Sequence, residues 1–300
     1  MNSIAIGNQI LPIKDYYCSD NNGYIPRQDG KLWLYVNVTD VCNGCCPFCI
    51  NPGRKSGTTP FDISVFSQIT SRIKDHVYGI SLTGGEPMLC PELIDEITNT
   101  VETIFSREEE LDLVTNGIDF HRILDLRHLR RFYSVHLSRH RLTDGENDLL
   151  FGFPTVSWRE LKQIISKLDD PGMIVLNCLL MTGGIDSLEK AETYLELAAS
   201  AGVRNVSFIG MSNCNAFCEA HYIDPSELFS KRNDRFHIWS QYHDHTFCSC
   251  MSGSYDAAPG SIRFYFRSIG TGKPSYTRQL VYTADNQLLA GFGGAEISIL

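Results

Sequence analysis

Four cysteines lie close together in the segment TDVCNGCCPFCINPG, which spans residues 39–53. They are Cys42, Cys45, Cys46 and Cys49. Thiolates that one short loop brings together bind soft metal ions or iron–sulfur clusters. Cys42, Cys46 and Cys49 have the spacing C-x3-C-x2-C, whereas two successive C-x2-C pairs would supply a four-thiolate zinc site. The zinc interpretation is disfavoured, because adjacent cysteines do not readily reach one tetrahedral ion. Four small buried thiols would be an improbable coincidence in so short a segment.

The composition predicts a soluble cytoplasmic protein with no general affinity for nucleic acid or membranes. The 300 residues include 26 Lys and Arg against 35 Asp and Glu, which gives a net charge of −9. Nucleic-acid binding requires a basic surface. The first residues lack the basic and apolar regions of a signal peptide, and no apolar run approaches the roughly 18 residues of a membrane span. Eleven cysteines in a reducing compartment, an odd number, favour metal binding over disulfides.

A strand-then-helix alternation must position these thiols. Runs rich in β-branched and aromatic residues predict strands, and apolar residues at helical spacing predict the helices between them. Six such repeats are too few for a closed eight-unit barrel. The expected fold is therefore α/β, a partial (βα)6 barrel with functional residues at the carboxyl ends of its strands. Strands are predicted at residues 32–39, 78–83, 111–115, 132–138, 172–181 and 203–210, and helices at 61–76, 91–105, 120–129, 157–168 and 186–202.

Three segments are expected along the chain. Residues 1–30 form an N-terminal extension, and residues 31–210 form the partial barrel. After residue 210 four more cysteines precede short β-rich runs, with a turn predicted at residues 284–286. Residues 211–300 are thus predicted to be a small β-rich module that packs on the barrel.

In this setting the first cysteine segment resembles the signature of the radical S-adenosylmethionine (SAM) superfamily, C-x3-C-x-aromatic-C after the first barrel strand. Cys42, Cys46, Phe48 and Cys49 match it. The resemblance implies that the three thiolates hold three irons of a [4Fe–4S] cluster, and that the fourth iron binds the amino and carboxylate groups of SAM. An electron from the cluster then cleaves SAM to a 5′-deoxyadenosyl radical. In this interpretation Cys45 is the spare thiol.

The segment TGGEP, at the end of the second predicted strand, is similar to the GGEP motif of the same superfamily. The resemblance implies that the backbone of Gly84 and Gly85 and the carboxylate of Glu86 bind the methionine amino group of SAM. Glycines permit a close approach of the backbone, and a carboxylate is the charge partner of an ammonium. Without the resemblance, an ordinary glycine-rich turn would be the simpler interpretation.

Polar residues at the ends of the next three strands are the remaining candidates for binding SAM. Relatives hold the ribose and the methionine portion there, which implies such roles for Asn116, Ser138 and Asn177. Each could instead be a turn residue or a satisfied core polar group. The segment SRHR follows the fourth strand and adds Arg139. It is interpreted either as a solvated basic loop or as a pocket for a carboxylate, of SAM or of an acidic substrate.

The second cysteine group comprises Cys214, Cys218, Cys248 and Cys250. Residues 214 and 218 would share a face of a helix, and residues 248 and 250 a face of a strand. The group resembles the auxiliary-cluster ligands of the twitch and SPASM extensions of some radical SAM enzymes, which implies a second [4Fe–4S] cluster. Three alternatives stay open: structural zinc, ligation by only three thiols, and free thiols.

The resemblance implies a radical SAM enzyme, and its substrate is predicted to be a ribosomally made peptide. The alternative is a dehydrogenase or cyclase that acts on a small molecule such as a sugar, a nucleotide or an antibiotic precursor. A non-catalytic metal-binding scaffold is a third hypothesis. The expected partners are an electron donor such as flavodoxin or ferredoxin and a separate leader-peptide recognition protein, since about 30 residues are too few for a folded recognition domain. No catalytic acid or base is identified.

Overall fold

The computed structural model describes residues 2–13, 16–19, 23–26, 31–50, 61–212, 214–244, 248–258, 260–269 and 276–299. Within this part of the chain an eleven-stranded sheet is accompanied by two separate two-stranded hairpins. The strands are, in chain order, β1 (Asn2–Ile6), β2 (Gln9–Ile13), β3 (Tyr16–Ser19), β4 (Gly23–Pro26), β5 (Leu32–Thr39), β6 (Val77–Gly84), β7 (Glu110–Thr115), β8 (Ser134–Ser138), β9 (Ile174–Leu180), β10 (Asn205–Gly210), β11 (Phe236–Asp244), β12 (Cys248–Ala257), β13 (Gly260–Ile269), β14 (Gln279–Tyr282) and β15 (Leu288–Leu289).

The centre of the sheet is the predicted partial (βα)6 barrel. Strands β5 to β10 are adjacent in chain order and all parallel. Parallel neighbours require crossover connections, which are mostly helical here. The α/β class and the parallel barrel strands are therefore confirmed. The helices are α1 (Ile63–Ile73), α2 (Pro91–Ile104), α3 (Asp144–Phe151), α4 (Trp158–Ile165), α5 (Leu188–Ser200), α6 (Ala216–His221) and α7 (Pro225–Ser230).

Two connections differ from the prediction. The helix expected at residues 120–129 is replaced by two short 3-10 helices, Phe120–Asp125 and Leu129–Arg131. A 3-10 helix rises about 2.0 Å per residue against 1.5 Å in an α-helix, so few residues cover the return path from β7 to β8. Helix α3 was not predicted, since its apolar periodicity is weak. Its sequence signal is the capping box that Thr143 and Glu146 form at its start.

The two faces of the sheet differ in polarity. Alternate residues of a strand point to opposite faces, and residues paired in register share a face. One face is apolar and packs in a single core with the helices; it includes Leu34, Leu82, Leu113, Val135, Leu176 and Phe208. The opposite face, which we call the inner face, carries Ser81, Asp112, Ser134, His136, Ser138, Asn177, Ser207, Ser252 and Tyr265. The barrel interior is therefore rich in hydrogen-bonding groups.

The segment after residue 210 is β-rich, as predicted, but its strands do not form a second sheet on the barrel. Strand β13 pairs parallel with β10. Strand β12 then pairs antiparallel with β13, and β11 pairs antiparallel with β12. At the other edge β14 pairs parallel with β5. An open barrel leaves unpaired backbone groups on its two outermost strands, and the C-terminal strands satisfy them on both sides. The domain boundaries at residues 30 and 210 stay predictions.

The N-terminal extension forms the two hairpins. The first, β1–β2, lies beside the C-terminal segment: the Asn8 N–H donates to the Ser298 carbonyl at 3.3 Å, and the Thr277 N–H donates to the Pro12 carbonyl. Strand β4 of the second hairpin contacts β11 and β12, at the far edge of the sheet. The extension therefore contacts strands near both edges of the open barrel.

Candidate active site

The cysteine loop and the GGEP loop lie side by side at the carboxyl end of the parallel strands. The cysteine loop follows β5 and the GGEP loop follows β6, its neighbour in the sheet. Two backbone hydrogen bonds join them: the Gly85 N–H donates to the Thr39 carbonyl at 2.6 Å, and the Glu86 N–H donates to the Val41 carbonyl at 2.8 Å. The first residues of the cysteine loop are thus fixed by the GGEP backbone.

Both glycines of this motif are required by the close approach of the two loops. Gly84 has φ = +119°, and a Cβ there would lie 2.5 Å from the Thr39 carbonyl oxygen. A Cβ on Gly85 would lie 2.1 Å from the Val41 carbonyl oxygen. Any side chain would therefore push the cysteine loop away. The sequence predicts that the two glycines let the backbone approach a neighbouring group closely. In the structure that neighbour is the cysteine loop, and the predicted contact of these glycines with SAM stays a prediction.

Glu86 joins the GGEP loop to the segment TNG, residues 115–117, which ends β7 and which we call the TNG loop. Its side chain is only 1% exposed. Oε1 accepts hydrogen bonds from the Met88 N–H and the Thr115 hydroxyl at 2.9 and 2.6 Å, and Oε2 accepts from the Asn116 N–H at 2.7 Å. Burial raises the pKa of this carboxyl to about 7, and the three donors act in the opposite direction. A carboxylate oxygen has room for a second donor, so Oε2 fits the predicted ammonium partner.

The Asn116 side chain contacts the cysteine loop directly. Its Nδ2 lies 2.9 Å from Asn43 Oδ1 and 3.7 Å from Cys42 Sγ, and its Oδ1 accepts from the Ile118 N–H at 3.0 Å. The residue is only 9% exposed. Both ends of the amide are therefore engaged by the protein, and the predicted contact of Asn116 with SAM stays a prediction.

The cysteines of the first loop differ in exposure. Cys42, Cys46 and Cys49 are half-buried, whereas Cys45 is exposed. The Cys45 N–H donates to the Phe151 carbonyl at 2.8 Å, and its Sγ lies 3.6 Å from the same oxygen. Cys45 is thus held against the end of α3.

The donor set of this loop is compatible with an iron–sulfur cluster. Among the described residues, no group of three Cys, His, Asp or Glu side chains is placed so as to hold one metal ion. In a [4Fe–4S] cluster each cysteine binds a different iron, so no such convergence is needed. In addition, Asn43 Nδ2 is buried in this loop without a hydrogen-bond partner in the described part of the chain. Cluster sulfurs would supply the acceptor it lacks.

Phe48 anchors the loop in an aromatic cluster. Its ring meets the edges of His140 and Phe151 at centroid distances of 5.0 and 6.2 Å, and His140 stacks on Phe151 at 5.2 Å. His140 is 5% exposed, and its Nδ1 accepts from the Leu179 N–H. Burial lowers the His140 pKa to about 3, so the imidazole is neutral. His140 therefore supports Phe48 and belongs neither to a solvated basic loop nor to a carboxylate pocket.

Arg139 also differs from its prediction. The side chain is 1% exposed; Nη1 donates to the Val156 carbonyl at 2.9 Å, Nη2 donates to Asp144 at 2.6 Å, and the guanidinium lies 4.1 Å above the Trp158 ring. The physical reason is strand alternation: Ser138 lies on the inner face, so the next residue points toward α3 and α4. The predicted carboxylate contact of Arg139 is corrected to a structural role.

The carboxyl end of the parallel strands, where these loops lie, is called the mouth of the barrel. A chain of hydrogen-bonded side chains crosses the inner face below the mouth. The Ser134 hydroxyl donates to Asp112 at 2.7 Å and lies 2.8 Å from His136 Nε2, and His136 Nδ1 lies 3.0 Å from Asn177 Oδ1. Asn177 is paired in register with Ser138. Sequence reasoning found Ser138 and Asn177 but missed the other members. The signal that could have found them is the polar alternation of residues 134, 136 and 138.

Two thiols of the second group lie together beside the first loop. Cys214 Sγ and Cys218 Sγ are 3.3 Å apart, and each lies 3.9 Å from the Phe48 carbonyl oxygen. Asn215 caps α6 through the Cys218 N–H and donates to the Pro47 carbonyl at 3.0 Å, which holds α6 against the cysteine loop. Burial, followed by the neighbouring thiol, raises the Cys214 pKa to about 11.

The other two thiols lie on β12, at the same end of the sheet. Cys250 is paired with Arg267 of β13, which is itself paired with Ile209 near the end of β10. Cys250 shares the inner face with Ser252, two residues along the strand. Cys248 lies two residues away in β12, and its side chain falls outside the described residues. Three of the predicted auxiliary ligands are thus located near one end of the barrel.

Comparison with known sequences shows related enzymes. Relatives include the GTP 3′,8-cyclase of Aquifex aeolicus, 24% identical over 213 residues, which are 68% of this chain and 64% of the relative. The GTP 3′,8-cyclase of Actinobacillus pleuropneumoniae serotype 7 is 28% identical over 153 residues, 47% of this chain and 44% of the relative. The chain therefore spans less than two thirds of the length of these curated relatives.

Comparison with solved structures shows a shared fold. Streptococcus suis SuiB bound to its precursor peptide SuiA covers 88% of this chain, and the match covers 60% of the SuiB chain, with a TM-score of 0.58 at 13% identity. At that identity the likeness concerns the fold alone. SuiB bound to S-adenosylmethionine gives the same TM-score and covers 89% of this chain. In the described residues, no helix has both the length and the apolar character to cross a membrane.

A family comparison covers the cysteine loop, the GGEP and TNG loops and the barrel helices together. Residues 36–198, more than half of the chain, match the Radical SAM superfamily. The matched region includes the three half-buried cysteines and the loops that contact them. The chain therefore belongs to the radical SAM superfamily of S-adenosylmethionine-dependent iron–sulfur enzymes.

Proposed function

We propose that this chain cleaves SAM reductively and uses the resulting radical to modify a peptide that binds along the inner face of the barrel. The [4Fe–4S] cluster, when bound, supplies the electron that breaks the sulfonium bond of SAM. The observation that carries this proposal is the loop arrangement. Cys42, Cys46 and Cys49 are half-buried in a loop that two backbone hydrogen bonds tie to the GGEP motif.

The chain's own residues have separable tasks in this proposal. Cys42, Cys46 and Cys49 hold the cluster. Glu86 Oε2 and the backbone of Gly84 and Gly85 receive the SAM ammonium, and the buried position of the carboxyl excludes water from that contact. Burial of an ionised carboxylate is unfavourable without a cationic partner, which fits its raised pKa.

Ser138 and Asn177 are proposed as the polar contacts of SAM at the mouth. They are paired in register across β8 and β9, and Ser138 lies two residues beyond His136, toward the carboxyl end of β8. His136 Nδ1 contacts Asn177 Oδ1, and this contact leaves the amide nitrogen as a donor for a ligand oxygen. Asp112 and Ser134 in turn hold the His136 ring in place. SAM would therefore meet a donor whose orientation the protein has already fixed.

Two observations support a peptide substrate: the polar side chains of the inner face, and the large share of the chain that the structural match to SuiB covers. Hydroxyl and amide side chains on the inner face are suited to the many hydrogen-bonding groups of a peptide backbone. The SuiB fold match covers 88% of this chain, so it extends beyond the barrel region of residues 36–198. SuiB was solved with a precursor peptide bound. An electron donor such as flavodoxin or ferredoxin and a leader-peptide recognition protein are the proposed partners.

A small anionic molecule such as a nucleotide is the second candidate substrate. One observation that favours it is Arg141, a half-buried arginine that follows β8 at the mouth. Its Nη1 donates to the His140 carbonyl at 3.0 Å, and its guanidinium lies against Gly184. A guanidinium has five N–H donors, so most remain for an anion such as a phosphate. The sequence relatives named above are GTP 3′,8-cyclases.

An auxiliary [4Fe–4S] cluster is proposed at the second cysteine group. Cys214 and Cys218 are already adjacent, and Cys250 lies at the same end of the sheet two strands from β10. Their position beside the barrel mouth suits a cluster that contacts the substrate or passes electrons. An iron and sulfide count separates one cluster from two, and a zinc assay tests the structural-zinc alternative.

The decisive experiment is anaerobic reconstitution of the chain with iron and sulfide, followed by SAM and dithionite. We expect 5′-deoxyadenosine from the wild type and from Cys45→Ala, and none from Cys46→Ala. If the reconstituted wild type gives no 5′-deoxyadenosine, the catalytic proposal fails and a metal-binding scaffold is favoured.

Substrate class is tested separately from cleavage. Candidate peptides encoded beside the chain's gene, and GTP, are each supplied in deuterated form. Transfer of deuterium into 5′-deoxyadenosine identifies the substrate from which the hydrogen atom is taken. Transfer from GTP and from no peptide would overturn the peptide proposal and leave the radical chemistry intact.

A further inference from the structure

The amides of Asn116 and Asn43 form a pair next to the first cysteine of the cluster motif. Asn116 Nδ2 lies 3.7 Å from Cys42 Sγ and 2.9 Å from Asn43 Oδ1. An amide nitrogen carries two hydrogens, so it can donate to both acceptors at once. The distance to sulfur is within the range of an N–H···S hydrogen bond.

The Asn116 amide is locked in this orientation. Its Oδ1 accepts from the Ile118 N–H at 3.0 Å, which fixes the nitrogen on the side of the cysteine loop. Its own backbone N–H donates to Glu86 Oε2 at 2.7 Å. The residue is 9% exposed. Rotation of the amide would break the bonds to Ile118 and Asn43 together, so the donor to Cys42 is fixed before any cluster binds.

Asn43 supplies a second, independent observation. Its Oδ1 accepts from Asn116, which directs its Nδ2 away from that contact. This Nδ2 is buried and has no partner in the described part of the chain. A buried amide donor without an acceptor is destabilising. A negatively charged iron–sulfur cluster held by the cysteines on both sides of Asn43 supplies sulfur acceptors for it.

From this geometry we infer that Asn116 and Asn43 are positioning residues that donate hydrogen bonds to the cluster sulfurs and set the cluster's reduction potential. The inference rests on the proposed SAM cluster at Cys42, Cys46 and Cys49. Reduction adds negative charge to the cluster, and a donor aimed at a sulfur stabilises that charge. The amide pair therefore makes the cluster easier to reduce, which is the step that precedes SAM cleavage.

The test is a redox titration of the anaerobically reconstituted full chain. The fraction of reduced cluster is measured from its electron paramagnetic resonance signal, and the cluster in question is identified as the one whose signal changes when SAM is added. Asn116→Ala removes the donor to Cys42 without adding charge. We expect its ratio of reduced to oxidised cluster at a fixed potential to fall about tenfold, a shift of about 59 mV toward negative potential for one electron. Asn43→Asp keeps the acceptor for Asn116, removes the orphan donor and should shift the potential in the same direction.

Matched controls separate the donor from charge and from folding. Cys45→Asp places a carboxylate in the same loop and removes only the thiol that faces the Phe151 carbonyl, not an amide donor beside the cluster, so its shift is subtracted from that of Asn43→Asp. Asn116→Gln retains an amide donor and should restore part of the potential. If Asn116→Ala fails to load iron, Asn43→Asp decides the question.

Two results would count against different claims. Wild-type potentials in both Asn116→Ala and Asn43→Asp, at full iron content and after the charge correction, would overturn the inference and leave the amides a purely structural role. Absence of any SAM-responsive cluster in the wild type would instead overturn the proposed function on which the inference rests.

Discussion

The buried carboxyl of Glu86 gives a quantitative test of the site's electrostatics. It is 1% exposed, and burial raises its pKa from an ordinary value of 4.5 to about 7. Because the folded pKa is above the unfolded one, folding favours the protonated form. Its stabilising contribution is fully present below about pH 4.5 and is lost as the pH rises through about 7. At about 1.36 kcal/mol per pKa unit, the whole shift corresponds to roughly 3 kcal/mol.

The perturbation is Glu86→Gln, which removes the titration and keeps the size of the side chain. Its absolute stability also changes, because an amide nitrogen then faces one of the N–H donors of Met88 or Asn116. The informative quantity is therefore the pH dependence. The free energy of unfolding of the cluster-free chain is measured in urea between pH 5 and 8. We expect the wild type to lose about 2–3 kcal/mol relative to Glu86→Gln across this range.

A neighbouring carboxylate serves as the control. Glu92 is exposed in the first turn of α2, so Glu92→Gln makes the same chemical change at the surface and leaves the buried carboxyl in place. Parallel curves for the wild type and Glu86→Gln would refute the reasoning, because they would mean that the buried carboxyl has the same pKa in the folded and unfolded chains. A difference of the opposite sign would show that the three hydrogen bonds outweigh burial.

Three further predictions concern the ligands and the loop that holds them. Cys46→Ala should lower the iron content by one cluster and abolish SAM cleavage while Cys45→Ala leaves both at the wild-type level, and equal iron contents would contradict the ligand assignment. Gly85→Ala should reduce iron loading several-fold, since its Cβ would lie 2.1 Å from a carbonyl oxygen of the cysteine loop, whereas Gly145→Ala meets no atom within 4 Å and should load normally. Cys250→Ala should lower iron by up to one cluster and spare 5′-deoxyadenosine formation; a loss of zinc instead would refute the auxiliary cluster.

Secondary-structure elements that depend on contiguous residues were predicted well. The strand expected at residues 32–39 is β5 with the same bounds, and the helix expected at 91–105 is α2 less its last residue. Strand residues alternate over short distances, and a proline fixes the first turn of the helix, so both signals are local. The spacing of the cysteines is equally local; Cys45 is exposed, and its assignment as the spare thiol stays a prediction.

Features that depend on which way one residue points were predicted less well. Arg139 follows a mouth residue in sequence, and proximity in sequence suggested a ligand contact. The pleat of β8 instead turns it toward Asp144 and Trp158, where it is buried. Asn116 was placed correctly at the mouth, but its amide meets Cys42 and Asn43. These contacts join loops more than 70 residues apart, and no local pattern specifies them.

The inner face shows why the reaction partner is harder to read from sequence than the radical chemistry. The SAM cluster needs three thiols within eight residues, so its signature survives in the linear sequence. The inner face takes one polar residue from each of several strands, and each is unremarkable alone. Only the register aligns Ser81 with Asp112, Asp112 with Ser134, and Asn177 with Ser207. In the proposed function, substrate specificity depends on strand register, which the sequence implies only after the fold is known.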